Sequence, residues 1–247
     1  MRYFILTDIH ANLEALDECI RDAQSRGFDE TLVLGDLVGY GGDPNLVCER
    51  VQALTPTAIV RGNHDKVACG LEQAEGFNAV AKSAAKWTLE VLTPAHREWL
   101  AALPEGPIVI DDVVEICHGS PFDEDAYIFD ELDAVRAVKV STRPLCLFGH
   151  THYPVTFELS ENSFDSVGSA ASPQMRVQMK PGCKYLINPG SVGQPRDGDP
   201  RAAYAIVDTK ERRVELYRIR YAVEEAQMKV VKAGLPEVLA QRLAVGR

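Results

Sequence analysis

The sequence predicts an α/β fold with a largely parallel sheet in its first half and antiparallel strands in its second half. Apolar runs that begin near residues 3, 31 and 58 alternate with helical segments at a spacing of roughly 30 residues, which is typical of right-handed βαβ units. Beyond His152 the apolar runs are short and are separated by turn residues, as in antiparallel strands. Five of the apolar runs are also followed, within three residues, by histidine, aspartate or asparagine.

Each of the first two strands is followed by a helix with recognisable end signals. The first helix has apolar residues at helical spacing and ends at Gly27, because a glycine just past the last periodic residue commonly closes a helix. A glycine-rich loop follows the second strand. Asp43 and Pro44 then have the pattern of an N-cap and a first-turn proline, and they predict a helix over 45–54.

The rest of the chain reads as additions to this core. Residues 66–103 are rich in alanine and predict a helical insertion, which serves either as a lid or as a dimer surface. Residues 160–173 are rich in serine, asparagine and glycine and predict a mobile loop. Residues 222–247 predict a closing helical stretch. Because no linker or repeat divides the chain, we expect 1–247 to form a single domain.

Composition limits the classes of partner. The chain of 247 residues is 46% apolar, which is enough for a sizeable core, and its 26 basic and 36 acidic residues give a net charge of −10. This charge argues against nonspecific nucleic-acid binding. No apolar run approaches the roughly 18 residues of a membrane span, and residues 1–6 leave no room for a signal peptide. Six cysteines without a CxxC pair predict buried free thiols, so we expect a cytoplasmic location.

The residues that follow the five apolar runs are the ones that suggest chemistry. They are Asp8 and His10, then Asp36, then Asn63, His64 and Asp65, then His118, and finally His150 and His152. Since ligands gather beyond the carboxyl ends of strands in open α/β sheets, these side chains are expected in one crevice. Any one histidine could instead have a structural or capping role, but five together indicate a metal site. The sixth, His96, falls on a predicted helix and is expected at the solvated surface.

The donor types favour particular ions and a particular reaction. Mixed imidazole and carboxylate ligation without thiolate selects manganese, iron, nickel, cobalt or zinc over calcium or copper. Two such divalent ions about 3.5–4 Å apart clamp a phosphoryl group and neutralise the charge that builds up on its oxygens. Ions this close together require at least one anionic bridge between them.

The order of these motifs resembles that of the calcineurin-like metallophosphoesterase superfamily, and especially of its small stand-alone bacterial and archaeal phosphodiesterase branch. The motifs are Asp-x-His at 8–10, Gly-Asp at 35–36, Gly-Asn-His-Asp at 62–65, His-Gly at 118–119 and Gly-His-Thr-His at 149–152. The resemblance spans 8–208. It implies a four-layer αββα fold, in which two mixed β-sheets form a sandwich flanked by helices.

The resemblance also implies a role for each motif residue. One metal ion is expected on Asp8, His10, Asp36 and His152, and a second on Asp36, Asn63, His118 and His150. Asp36 would bridge the two divalent ions, for which manganese is the first expectation. In the family the histidine after the asparagine is not a ligand, so His64 is predicted to protonate the leaving alkoxide. Asp65 would orient that ring or support its charge, with helix or loop capping as the alternative.

One departure from the family pattern bears on the substrate. Protein phosphatases and dinucleoside tetraphosphatases have an arginine shortly after Gly-Asp that clamps a terminal phosphate, and Tyr40 stands at that place here. This favours phosphodiesters, or a nucleotide whose base stacks on Tyr40. Arg196, in a turn-rich segment, is the candidate replacement arginine or else a surface arginine. Asn12 is open between helix capping and substrate contact.

We therefore expect a two-metal phosphodiesterase that acts on small or nucleotide-like substrates. A phosphomonoesterase or dinucleoside polyphosphate hydrolase is the alternative within the same class. A metal-binding interaction scaffold with little turnover is the alternative of another class, although the presence of all seven expected ligands and of His64 disfavours it. Neither membrane binding nor stable nucleic-acid binding is expected, and a homo-oligomer is left open.

Overall fold

The structure, a computed structural model, describes residues 1–160, 163–168 and 174–247. Within these residues the strands are β1 (Arg2–Leu6), β2 (Glu30–Val33), β3 (Ala58–Ile59), β4 (Ile108–Val109), β5 (Val114–Ile116), β6 (Leu145–Leu147), β7 (Val155–Leu159), β8 (Phe164–Gly168), β9 (Gln174–Gln178), β10 (Lys184–Asn188), β11 (Ala202–Asp208) and β12 (Arg213–Ile219). The helices are α1 (Leu13–Arg26), α2 (Pro44–Ala53), α3 (Asn63–Cys69), α4 (Ala79–Val91), α5 (Pro94–Ala101), α6 (Glu131–Val140), α7 (Val223–Lys232) and α8 (Glu237–Leu243).

The first sheet joins the two halves of the chain. Its strand order is β3-β2-β1-β11-β12-β9. The pairs β1 with β2 and β2 with β3 are parallel, as the strand–helix alternation predicts. The pairs β1 with β11, β11 with β12 and β12 with β9 are antiparallel. The parallel and antiparallel parts therefore meet at β1, within one sheet.

The second sheet has the same mixed character. Its order is β4-β5-β6-β10-β7-β8. The strands β5, β6 and β10 are parallel, and the edges on both sides are antiparallel. The expected pair of mixed sheets is thus confirmed, with six described strands in each sheet.

Alternation along β1 shows how the layers are held together. Tyr3 and Ile5 belong to the apolar cluster that fills the space between the two sheets, while Phe4 and Leu6 belong to the cluster beneath α1 and α2. Successive side chains of a strand point to opposite faces, so one strand contributes to both interfaces. A third cluster packs α6 against the outer face of the second sheet. The order of layers is helix, sheet, sheet, helix.

The helical additions pack beside the loop that follows β2. The stretch 66–103 contains α4 and α5, and 222–247 contains α7 and α8. One apolar cluster joins Tyr40 to Ala84 of α4, Val230 of α7 and Leu239 of α8. In the described part of the chain, no helix combines the length and the apolar composition that a bilayer crossing needs.

Two local expectations are wrong. His96 is not at the solvated surface: it is 9% exposed, and its Nδ1 lies 2.8 Å from Asn45 Oδ1, which also accepts a 2.9 Å hydrogen bond from the Thr93 amide and so ties the start of α5 to α2. The predicted loop 160–173 contains strand β8, whose backbone pairs with β7. That ladder forms between main-chain groups, which composition does not reveal. Residues 161–162 and 169–173 of the predicted loop lie outside the described residues.

The six cysteines are all free, as expected, although Cys69 and Cys183 are only half-buried.

Candidate metal centre

The predicted ligand residues lie at the ends of strands from both sheets. Asp8 and His10 follow β1, Asp36 follows β2, His118 follows β5, and His150 and His152 follow β6. Asn63 differs from expectation in its local structure, because it is the first residue of α3 rather than the end of a strand. All of these ends meet at one edge of the sandwich, as the sheet topology requires.

The first group of converging donors consists of Asp8, His10, Asp36 and His152, all of them buried. His10 Nε2 lies 3.0 Å from His152 Nε2 and 3.5 Å from Asp36 Oδ2. His152 Nε2 lies 3.4 Å from Asp8 Oδ1. Two ligands at right angles around an ion, each about 2.1 Å from it, are about 3.0 Å apart, so these spacings suit one ion among the four side chains.

The second group consists of Asp36, His118 and His150. His118 Nε2 lies 3.5 Å from Asp36 Oδ2, 3.1 Å from His150 Nδ1 and 3.3 Å from Asn63 Oδ1. Asp36 Oδ2 is therefore equally far from His10 and His118, one imidazole of each group. A carboxylate in this position is suited to bridge two cations.

Backbone carbonyls orient three of the four histidine rings. The Nδ1 atoms of His10, His118 and His152 lie 3.0, 2.7 and 2.6 Å from the carbonyl oxygens of Val38, Leu34 and Gln194. Because a carbonyl only accepts, each Nδ1 carries the proton, and the Nε2 of a neutral ring then faces the centre with a lone pair. In His10 and His152 two such lone pairs face each other, an arrangement that a cation between them would stabilise. The donor set therefore fits divalent metal ions.

The electrostatics of the protein alone point the same way. Burial raises the pKa of Asp8 to about 7 and lowers the pKa values of His10 and His152 well below the ordinary range. Burial would also raise the pKa of Asp36, but the neighbouring His118 holds it well below its usual value. Burial would lower the pKa of His118, but Asp36 and Asp8 raise it to about 10. Bound cations would stabilise both carboxylates as anions.

Most of the candidate ligands have a strained backbone. The φ angles of Asp8, His10, Asp36, His150 and His152 are 51°, 48°, 53°, 67° and 61°, in the left-handed region that residues with a Cβ rarely adopt. Such conformations cost of order 1–3 kcal/mol each and persist only where the surroundings impose them. Five of the nine non-glycine residues with positive φ in the described chain are thus residues with converging donors.

His64 lies against this centre without being one of the converging donors. It is 4% exposed, and its ring centroid lies 4.3 Å from that of Tyr40, 4.5 Å from Phe77 and 5.0 Å from His10. Its Nδ1 is buried and has no hydrogen-bond partner in the described chain. Burial lowers its pKa to about 4, so the ring is neutral.

Asp65 holds backbone rather than the His64 ring. Its Oδ1 accepts hydrogen bonds from the amides of Leu37 and Val38 at 2.9 and 3.2 Å, and its Oδ2 accepts one from Gly62 at 3.0 Å. No hydrogen bond to His64 occurs among the contacts of the described residues. The structure therefore gives Asp65 the capping role that the sequence left as the alternative.

The three predicted substrate residues differ in how accessible they are. Asn12 caps α1 through a 3.2 Å hydrogen bond from the Ala15 amide, and its Nδ2 donates to Gly193 O. Tyr40 is 7% exposed and leaves little of its ring for a base. Arg196 is half-buried, with its Cζ 5.9 Å from the centroid of the Tyr40 ring, and its charge lowers the pKa values of His10 and His152.

Comparison with known proteins identifies the family. The sequence profile of the calcineurin-like phosphoesterase superfamily domain matches residues 1–212. The chain belongs to the calcineurin-like phosphoesterase superfamily. An uncharacterised protein of Methanocaldococcus jannaschii is 36% identical to this phosphoesterase over 248 residues, which cover 98% of this chain and 97% of the relative.

Solved structures agree with this assignment. A metallophosphoesterase from Sphaerobacter thermophilus is 37% identical to this chain, with a TM-score of 0.88 and both chains covered in full. A hypothetical protein from Pyrococcus horikoshii is 21% identical, with a TM-score of 0.78 over 100% of this chain and 98% of its own, and this likeness concerns the fold alone. The protein is a member of the phosphoesterase superfamily with a cluster of possible metal ligands.

Two aromatic residues beside His150 were not among the site residues that the sequence predicted. The ring of Tyr127 stacks on the ring of His150, with centroids 3.9 Å apart and 28° between the planes. Phe129 stacks on Tyr127 at 4.9 Å and 8°, and it is 67% exposed. Both residues lie in the acidic stretch before α6, where no periodic pattern marked them. The one available signal was the spacing of two aromatic residues in a polar segment.

Proposed function

We propose that the protein is a metal-dependent phosphodiesterase that hydrolyses small or nucleotide-like diesters at a dinuclear centre. The observation that carries the proposal is the convergence of the two donor groups on a shared carboxylate, with Asp36 Oδ2 3.5 Å from both His10 and His118. Asp8 and His152 would complete one ion site, and Asn63 and His150 the other. Manganese is the first expectation, with iron, nickel, cobalt or zinc as alternatives.

A pair of divalent ions, when bound, supplies Lewis-acid activation of water and neutralises the charge on the phosphoryl oxygens. The chain itself supplies rigid positioning. Backbone carbonyls fix the rings of His10, His118 and His152, and the His64 amide donates to Asp36 Oδ1 at 2.9 Å. These contacts keep the donors in place before substrate arrives, so little reorganisation is needed during the reaction.

His64 is the proposed donor to the departing oxygen. As a neutral imidazole it carries one N–H, which can donate a hydrogen bond as the alkoxide develops. It is buried next to His10 and is held by the backbone bond to Asp36, so it cannot move far from the centre. Asp65 supports this arrangement indirectly, by holding the amides of the loop that follows Asp36.

Two features favour a diester over a monoester. The position where related phosphatases carry a clamping arginine is occupied by Tyr40, so the extra negative charge of a monoester has one fewer partner. Tyr127 and Phe129 also form an exposed stacked pair directly on His150, and such a pair suits an aromatic or nucleoside group of the second ester arm. This role replaces the one expected of Tyr40, which is nearly covered.

The first prediction concerns the bridging carboxylate. With metal-stripped protein, manganese is expected to restore hydrolysis of bis(para-nitrophenyl) phosphate faster than that of the matching monoester. Asp36→Ala should lower the diester rate at least roughly a thousandfold, because both ions lose their shared ligand and with it the electrostatic stabilisation of the transition state. Metal content and kcat/KM are measured together.

Asp112→Ala is the matched control, because Asp112 is an exposed carboxylate in the turn between β4 and β5. It should retain metal and rate. Monoester preference, or preference for a dinucleoside polyphosphate, would replace the diester assignment by the corresponding alternative. Absence of turnover on the diester, the monoester and the dinucleoside polyphosphate, with every ion tried, would instead favour the scaffold alternative.

A further inference from the structure

A basic cavity adjoins the candidate metal centre. It has a volume of about 460 Å³ and is lined by Tyr153, Arg196, Asp197, Gly198, Arg242 and Arg247. Tyr40 spans the distance to the centre, because its ring centroid lies 4.8 Å from that of His10 and 5.9 Å from Arg196 Cζ. Arg196 of the cavity lining is thus separated from the predicted metal ligand His10 by one aromatic ring.

The two inner arginines of this cavity lack anionic partners in the described part of the chain. Arg196 donates a 3.2 Å hydrogen bond to the neutral amide of Gln194, and its Nε is buried without a partner. The Nε of Arg242 is buried and unpartnered as well. Asp197 is the acidic side chain of the lining, and it forms an ion pair with Arg218 outside the cavity lining. Its charge is already compensated there.

The arrangement is costly in the free protein. Burial lowers the pKa of Arg242, and the charge of Arg196 lowers it further, so the two guanidinium groups repel each other. Within the described residues the two arginines lack an ion pair, although the protein has more acidic residues, 36, than basic residues, 26. Two like charges that face one cavity, whose lining carboxylate Asp197 is paired with Arg218, are stabilised when an anion binds, and arginine is the residue best suited to hold phosphate.

We propose that this cavity binds a second phosphate of the substrate, so that the enzyme prefers diesters that carry a further phosphate group. The inference rests on the proposed phosphodiesterase function and adds a substrate class to it, namely nucleotide diesters with an additional terminal phosphate. Arg196, on the side towards Tyr40, and Arg242, on α8, are the specificity residues. The C-terminal helix would then contribute directly to substrate recognition.

The test compares two chromogenic diesters that differ by one phosphate. The probes are thymidine 5′-para-nitrophenyl phosphate and the same compound with a 3′-phosphate, both assayed with manganese. We expect wild-type kcat/KM to be higher for the 3′-phosphorylated probe. Arg242→Gln should reduce that preference roughly tenfold, the usual worth of a charge-assisted hydrogen bond.

Two further variants sharpen the result. Arg242→Lys keeps the charge and should restore part of the preference, chiefly through KM. Arg21→Gln removes an exposed arginine on α1 that pairs with Glu18, and it should change neither rate. Equal wild-type rates on the two probes, or a preference that Arg242→Gln does not change, would overturn the subsite.

The simple probe separates this outcome from failure of the proposed function. If it is hydrolysed, the phosphodiesterase assignment stands regardless of the preference. If neither probe is hydrolysed with any ion, the proposed function fails, and the subsite as part of it fails too. Because the simple probe also reports folding, a variant that has lost its fold loses both rates together.

Discussion

At the residue scale, the centre depends on residues that position the backbone as much as on the candidate metal ligands. Gly62 is one of them, because a Cβ on that residue would overlap Asp36 Oδ1, so only glycine lets the β3–α3 turn approach the candidate bridging carboxylate. Asp65 shows it as well, since its carboxylate ties Gly62 to Leu37 and Val38. These two residues bring the loops after β2 and β3 together.

The second prediction tests the role of Asp65. Asp65→Ala leaves three buried amides without their acceptor, so it should lower the free energy of unfolding by about 1–3 kcal/mol or more. It should also reduce kcat/KM on the model diester. Denaturant unfolding and steady-state kinetics are measured on the same protein, with Asp112→Ala as the exposed control.

A double-mutant cycle with His64→Ala distinguishes the two roles of Asp65. If Asp65 acts by holding the backbone, its effect on kcat/KM persists in the His64→Ala background. If instead it acts by orienting the His64 ring, its effect disappears once that ring is gone. Loss of metal in His64→Ala alone would make His64 a ligand and would end its role as donor to the leaving oxygen.

At the element scale, β1 is the strand on which the architecture depends. It pairs in parallel with β2 and antiparallel with β11, its two faces fill two different apolar clusters, and its end carries Asp8 and His10. Every side chain from Tyr3 to Leu6 is buried, because β1 is central in its sheet and both of its faces are covered. The strand therefore appears in the sequence as a continuous apolar run, which makes it easy to recognise.

The third prediction concerns the space between the sheets. Ile5→Ala should lower the free energy of unfolding by about 2–5 kcal/mol, because the cavity it leaves is closed by both sheets. Val109→Ala, at a 46% exposed position on the edge strand β4, should change it by less than about 0.5 kcal/mol. Chemical denaturation of the two variants tests the difference, and a similar loss in both would contradict the sandwich core.

At the scale of the whole molecule, the candidate metal centre joins the two sheets. Asp8, His10 and Asp36 come from the first sheet, whereas His118, His150 and His152 come from the second. Ions held by all six would cross-link the layers, and they would offset both the strain in the left-handed residues and the burial of two carboxylates. Metal binding and folding are therefore expected to be coupled.

The fourth prediction follows from that coupling. Saturating manganese, at about 100 times its Kd, should stabilise the protein by about 2.7 kcal/mol. For a chain of this size that corresponds to a rise in Tm of roughly 5–10 °C. Differential scanning fluorimetry of metal-stripped protein measures the shift. Asp36→Ala should lose most of it, whereas a shift of equal size in that variant would show that the ions bind elsewhere.

The sequence by itself determined the mixed α/β class and nominated the residues of the centre. Short, wholly apolar runs such as 3–6 and 145–148 identify buried strands, and polar residues just after the carboxyl ends of such strands are expected to gather in one crevice. Both inferences depend on the local pattern of apolar and polar residues, which a single sequence contains, and on general rules of sheet topology.

The tertiary structure decided what depends on side chains that are distant along the chain. It showed that Asp65 holds backbone, that Tyr40 is covered by α4, α7 and α8, and that Tyr127 stacks on His150. It also brought Arg242 beside Arg196, 46 positions earlier. Local periodicity does not predict such contacts, because they depend on how whole elements pack and on backbone pairing such as that of β8 with β7.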